Sequence, residues 1–65
     1  MEFKDFFDMV KGVDEYNVYR PKLGTDDFDA FYPPYFPDKY IGSQIDEVFM
    51  QSTNDDWVIA VVYLK

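Results

Sequence analysis

The residues best suited to chemistry in this sequence are carboxylates, and three of them lie together in the stretch DDFDAFYPPYF, residues 26–36. Asp26, Asp27 and Asp29 share this stretch with five aromatic rings and two adjacent prolines, and it contains no Lys or Arg. Carboxylates can act as a general acid and base, bind a hard cation, or present negative charge to a basic partner. Each use needs further features from the rest of the chain.

Catalysis by paired carboxylates is chemically sound for glycosidic bonds, but a chain of 65 residues leaves little room for a substrate cleft beside its own core. The sequence has no Cys and no His, which excludes thiol nucleophiles, imidazole bases, disulfides and zinc sites built on these residues. A glycine-rich phosphate loop and a serine-centred motif are also missing. We therefore expect a protein that is not an enzyme and has no cofactor.

A calcium site at Asp26, Asp27 and Asp29 is chemically conceivable, because all three offer oxygen ligands. The stretch nevertheless lacks the glycine and the distant glutamate of an EF-hand loop, and calcium takes about six to eight oxygens. We expect no metal site.

The charge balance is strongly acidic, with 13 Asp and Glu against 6 Lys and Arg and a net charge of −7. Such a chain is repelled by nucleic acid and by anionic membranes, which bind proteins chiefly through Lys and Arg. The first residues, MEFKDFFDMVKG, carry acidic residues along their length and do not resemble a signal peptide. We expect a cytoplasmic protein, in the host cytoplasm if a bacteriophage encodes it.

One helix is predicted near the N-terminus, over residues 2–11. Phe3, Phe6, Phe7 and Val10 are spaced as the apolar stripe of an amphipathic helix, with charged residues between them. Gly12 stands where a helix end is expected.

The C-terminal third predicts a β-hairpin over residues 44–64. The run WVIAVVYL, residues 57–64, is apolar at every position and rich in β-branched types, as in a strand covered on both faces. Polar residues 52–56 supply the turn. A third, weaker strand fits EYNVYR, residues 15–20, and Pro21 ends it.

The middle of the chain, residues 21–43, contains all four prolines, which exclude a long helix or a central strand. Thr25 could cap a short helix in which Phe28, Phe31 and Tyr32 share one face. The following PPYFP should be an extended strap. These elements predict a single small α+β domain, residues 1–65: an N-terminal helix packed on an antiparallel sheet of two to three strands, with the aromatic strap across the other face.

The aromatic residues of the strap have two explanations, which the sequence leaves open. They could supplement a thin core, or they could stay exposed and form an interface with a partner, as clustered exposed aromatics do. On the second explanation, the candidate partner-binding residues are Asp26, Asp27 and Asp29 for charge, and Tyr32, Tyr35 and Phe36 for contact area.

The charges suggest a specific function, because pairs of carboxylates recur along the chain at spacings similar to those of backbone phosphates. A rigid acidic face of this kind can occupy a groove lined with Lys and Arg, while aromatic rings fill a base-binding pocket. We therefore expect a non-catalytic protein-binding module. Its expected role is that of a small acidic, phage-type inhibitor, a nucleic-acid mimic that blocks a basic surface of a host nucleic-acid-processing or defence enzyme.

Two alternatives remain. The acidic residues could be no more than a solvated surface. The chain could also be a small accessory or structural subunit that docks through its aromatic strap and an edge strand. A homodimer stays open as well, because a strand edge can pair with its copy and the last strand needs cover on both faces.

Overall fold

The computed structural model describes residues 1–20 and 28–65. Along the chain it contains, in order, helix α1 (Phe3–Met9), strand β1 (Glu15–Tyr19), strand β2 (Asp29–Phe31), a 3-10 helix (Asp38–Tyr40), strand β3 (Ile45–Ser52) and strand β4 (Val58–Leu64). No helix in the described part of the chain is long and apolar enough to span a membrane.

The strands form one four-stranded sheet in the order β2-β1-β4-β3. The predicted α+β fold is confirmed, as are the N-terminal helix, the strand at residues 15–20 and the C-terminal hairpin. The sheet has four strands rather than two to three, and it is mixed rather than antiparallel, because β1 and β4 run parallel. Parallel pairing is possible here because a long stretch of chain separates these two strands.

The core lies between α1 and one face of the sheet, and it is largely aromatic. Phe3 is fully buried at its centre, and Phe7 packs against the same cluster. Tyr16 of β1 stacks on Phe31 of β2 with ring centroids 5.0 Å apart. Rings of this size bury enough apolar area to compensate for the small number of core residues.

The predicted short helix over Phe28, Phe31 and Tyr32 is wrong where the structure describes it, because Asp29–Phe31 is strand β2. Thr25, its proposed cap, lies outside the described residues. The β2 residues pair with Val18, Asn17 and Tyr16 of β1. A single helical turn is costly to nucleate, and sheet hydrogen bonds together with the Phe31 ring contact outweigh it.

The strap was predicted to cover the face of the sheet opposite α1, and this is also wrong. Its ring Phe36 lies 5.1 Å from Phe3 and 4.9 Å from Phe7, centroid to centroid, on the same side as the helix. The chain turns at Pro33 and Pro34 instead of staying extended throughout the strap; Pro37 has extended backbone angles, and the 3-10 helix follows it. The strap therefore thickens the core, and the second face of the sheet has to be considered on its own.

Candidate binding surface

The second face of the sheet carries exposed aromatic residues. Because residues paired across neighbouring strands point to the same side, the register defines its members. We call this surface the open face: Glu15, Asn17 and Tyr19 of β1, Glu47, Phe49 and Gln51 of β3, and Ile59, Val61 and Tyr63 of β4. Phe49 is 51% exposed and Tyr63 is 38% exposed, so large rings here reach solvent.

Four aromatic rings form a continuous row across the open face. Phe28 lies 5.5 Å from Tyr19, and Tyr19 stacks on Tyr63 at 4.9 Å, centroid to centroid. Tyr63 in turn meets Phe49 edge-on at 5.9 Å. Contacts of this kind stabilise each ring in place, so the row is a preformed surface rather than a set of independent side chains.

A bulge in β3 decides which residues join this row. Ile45 pairs with Leu64 on the core side, whereas Glu47 already pairs with Tyr63, so Asp46 is an extra residue. An extra residue changes the alternation of side chains along the strand. As a result, Glu47 and Phe49 lie on the open face.

Two glutamates flank the apolar part of the open face. Glu15 Oε1 accepts a 2.9 Å hydrogen bond from Trp57 Nε1. With the Asn17 amide oriented to donate, its nitrogen lies 2.7 Å from the other Glu15 oxygen. Glu47 stands on the other side of β4, opposite Tyr63. The face therefore combines exposed rings with negative charge at both flanking strands.

The acidic residues predicted from the sequence lie elsewhere or outside the description. Asp26 and Asp27 lie outside the described residues. Asp29 accepts a hydrogen bond from the Tyr40 hydroxyl at 2.5 Å and forms an ion pair with Lys39 at 2.5 Å. The Lys39 bond, together with the Tyr40 bond, lowers the pKa of Asp29 below its ordinary value. The Lys39 ammonium group therefore compensates the charge of Asp29 within the molecule.

The three predicted contact residues also differ in their exposure to solvent. Tyr32 is 54% exposed and Tyr35 is 64% exposed, while Phe36 is half-buried among the core rings. Tyr35 and Asp29 line one open cleft of about 360 Å³ along β2. Of the predicted residues, Tyr32 and Tyr35 therefore offer free contact area, and Phe36 chiefly stabilises the fold.

The open face was missed from the sequence because its members come from three strands. The alternation of Trp57, Ile59, Val61 and Tyr63 already indicated one side of β4. Which rings of the other strands join it depends on the parallel register of β1 and on the bulge, and neither has a local sequence signal.

Among residues 1–20 and 28–65, no group of three or more acidic side chains is placed to hold a metal ion. Comparison with protein-family models, with curated proteins and with solved structures finds no match. The geometry of this chain is thus the basis for assigning its function.

Proposed function

We propose that the protein is a non-catalytic protein-binding module and acts as a small acidic inhibitor. It occupies a basic, nucleic-acid-binding surface of another protein, such as a nucleic-acid-processing or defence enzyme, through the open face. The observation that carries this proposal is the row of four aromatic rings on a sheet face, three of them exposed and Tyr19 half-buried, flanked by Glu15 and Glu47.

Charge supports a basic partner. The net charge is −7, and several cations are engaged within the molecule: Lys4 pairs with Asp8 at 2.6 Å, Lys39 pairs with Asp29, and Arg20 lies over the Tyr40 ring. The residues that β1, β3 and β4 contribute to the open face include two glutamates and no Lys or Arg. A partner rich in Lys and Arg would be attracted over a distance and oriented before contact.

The aromatic rings would supply much of the binding energy that holds such a complex together. Aromatic residues provide much of the binding energy of protein interfaces, and a site that stacks nucleic-acid bases accepts other flat π surfaces. The aromatic row would take the place of stacked bases, while Glu15 and Glu47 would take the place of phosphates. On this mechanism the protein competes with nucleic acid and needs no chemical step.

A second candidate function is an accessory subunit that docks through the strap. The exposure of Tyr32 and Tyr35 favours it, because these rings project from a turn next to an open cleft. Docking of this kind depends on apolar contact and should tolerate salt.

Affinity capture with matched variants separates the two candidates. The immobilised protein is exposed to a nuclease-treated bacterial lysate and eluted either with increasing salt or with duplex DNA, and the eluates are identified by mass spectrometry. We expect a basic protein that both moderate salt and DNA release. Tyr63→Ala should weaken its binding by roughly tenfold or more, as loss of an interface aromatic does.

The control variants make the same kinds of substitution at residues that lie away from the open face. Glu47→Lys should weaken binding at low salt, whereas Asp5→Lys, the same charge change on α1, should have little effect. Tyr35→Ala should leave binding intact. If Tyr35→Ala abolishes capture while Tyr63→Ala and Glu47→Lys do not, the accessory-subunit function is correct and the inhibitor proposal is wrong.

A further inference from the structure

Strand β3 has one outer edge, and its first residues are already covered. The Ile45 N–H donates to the Met1 carbonyl at 2.9 Å, and Glu2 forms a bridge with Gln44. At the other end, the chain turns away after Ser52. Between these limits, residues 46–52 have no strand on their outer side within the described part of the chain.

We propose that two copies of the chain pair antiparallel along this free edge, about a twofold axis at Phe49. The two sheets then join into one continuous sheet. An unpaired edge is a template for another strand, and an identical strand satisfies it in a closed, symmetric dimer. The axis follows from the geometry, because Phe49 is the midpoint of the free residues 46–52.

The proposed register makes each opposing pair compatible. Phe49 meets its own copy, and Val48 lies opposite Met50 of the partner copy, so apolar side chains meet on both faces. Glu47 lies opposite Gln51, a neutral polar group, and Asp46, the extra residue of the bulge, lies beyond this last regular pair. Aromatic and apolar cross-strand pairs stabilise a sheet, while directly opposed like charges destabilise it.

Neighbouring registers are less favourable. An axis at Glu47 would place two glutamates opposite each other. A shift of the pairing by one residue would put the open face of one copy on the core side of the other. An axis at Val48 or Met50 would separate the two Phe49 rings and shorten the paired segment.

The dimer would change the binding surface. Phe49 is the last ring of the aromatic row, so pairing about Phe49 would continue the row from one copy into the next. Strand pairing itself does not depend on the proposed inhibitor function, but the use of the doubled surface does. Because each copy carries a net charge of −7, added salt should strengthen the dimer, whereas it should weaken binding to a basic partner.

Single-cysteine variants test the register directly, since the sequence contains no cysteine. Directly opposed strand residues have Cα atoms about 4.5–5.5 Å apart, within the range of a disulfide. We expect Phe49→Cys to form a cross-linked dimer under mild oxidation. Gln51→Cys is the matched control on the same face of β3, and its two copies would be offset by about 13 Å along the strand. It should cross-link at least tenfold more slowly.

The second test exchanges charges on β3. Its measured quantity is the dimer dissociation constant, determined by analytical ultracentrifugation. Gln51→Glu should raise this constant by roughly tenfold, because it opposes two pairs of glutamates. Adding Glu47→Lys to Gln51→Glu should restore it by creating two ion pairs.

The proposal is overturned if the unmodified chain sediments as a 7.8 kDa monomer up to about 100 µM, far above typical dimer dissociation constants. Equal cross-linking by Phe49→Cys and Gln51→Cys, or failure of the double variant to restore pairing, would overturn the register.

Discussion

Asp29 is held in its ionised form by its neighbours. Its carboxylate accepts the Tyr40 hydroxyl and the Lys39 ammonium group, and these bonds lower its pKa. A carboxyl whose pKa is lower in the folded than in the unfolded state stabilises the fold above its unfolded pKa, about 4. This contribution is lost as the pH falls through the folded pKa.

The lowered pKa of Asp29 determines how the stability of the Asp29→Asn variant should depend on pH. We expect the variant to unfold at lower urea concentration than the unmodified protein near pH 7, and the difference should be smaller at a pH low enough to protonate Asp29 in the folded state. Asp38→Asn, an exposed neighbour, should show no comparable change. A difference for Asp29→Asn that is the same at both pH values would show that the ion pair does not contribute.

Single residues show where sequence reasoning reached its limit. The stretch at 26–36 marked Asp29 as a candidate for charge, and Tyr35 and Phe36 as equivalent candidates for contact area. Their roles differ only because Lys39 and Tyr40 meet Asp29, and α1 meets Phe36. These contacts come from distant segments, so local patterns could not separate the three residues.

Among the elements, the β3–β4 hairpin contains a turn that Thr53 organises. The Thr53 N–H donates to the Trp57 carbonyl at 3.0 Å, and the Thr53 hydroxyl accepts from the Asp55 and Trp57 amides at 3.3 Å. Asp56 has φ of 61°, in the left-handed region. Asp tolerates this conformation better than most residues, but Gly adopts it without steric cost.

Asp56→Gly should therefore stabilise the hairpin. We expect the free energy of unfolding to rise by about 0.5 kcal/mol, since relief of the left-handed conformation exceeds the added entropy of the unfolded chain. Urea denaturation measures the change. Asp55→Gly is the control in the same turn, where only the entropy cost applies, and it should lower stability. Equal effects of the two substitutions would contradict the explanation.

The elements also show which patterns predict structure well. Helix α1 and the hairpin have long, regular patterns, and both were predicted from them. Strand β2 has three residues, too few to show a period, and Phe28, Phe31 and Tyr32 happened to fit helical spacing. The parallel pairing of β1 with β4 has no local pattern at all, so the strand order had to come from the structure.

At the scale of the whole molecule, the fold has one covered sheet face and one open sheet face. Helix α1 and the strap share the covered side, with Phe36 between Phe7 and Phe31. Tyr35, its neighbour in sequence, points to solvent. Of these two adjacent aromatic residues, Phe36 thus stabilises the core and Tyr35 stays exposed.

The different positions of Phe36 and Tyr35 predict different losses of stability when each ring is replaced by alanine. Phe36→Ala should lower the free energy of unfolding by about 2 kcal/mol or more, because it removes a ring from the core cluster. Tyr35→Ala should change it by less than about 0.5 kcal/mol, as expected for an exposed side chain. Thermal or urea unfolding would measure both. Comparable losses for the two variants would mean that the strap does not pack as described.

The parallel pairing of β1 with β4 also affects when the protein can fold during synthesis. Glu15 pairs with Ile59, so the central contact of the sheet joins segments 44 residues apart. Such contacts form late, because a long loop must close first. Ribosomes make the β4 segment last of all the elements, and until it emerges β1 and β2 have no β4 edge to join. We therefore expect the sheet to be completed only after the β4 segment has left the ribosome.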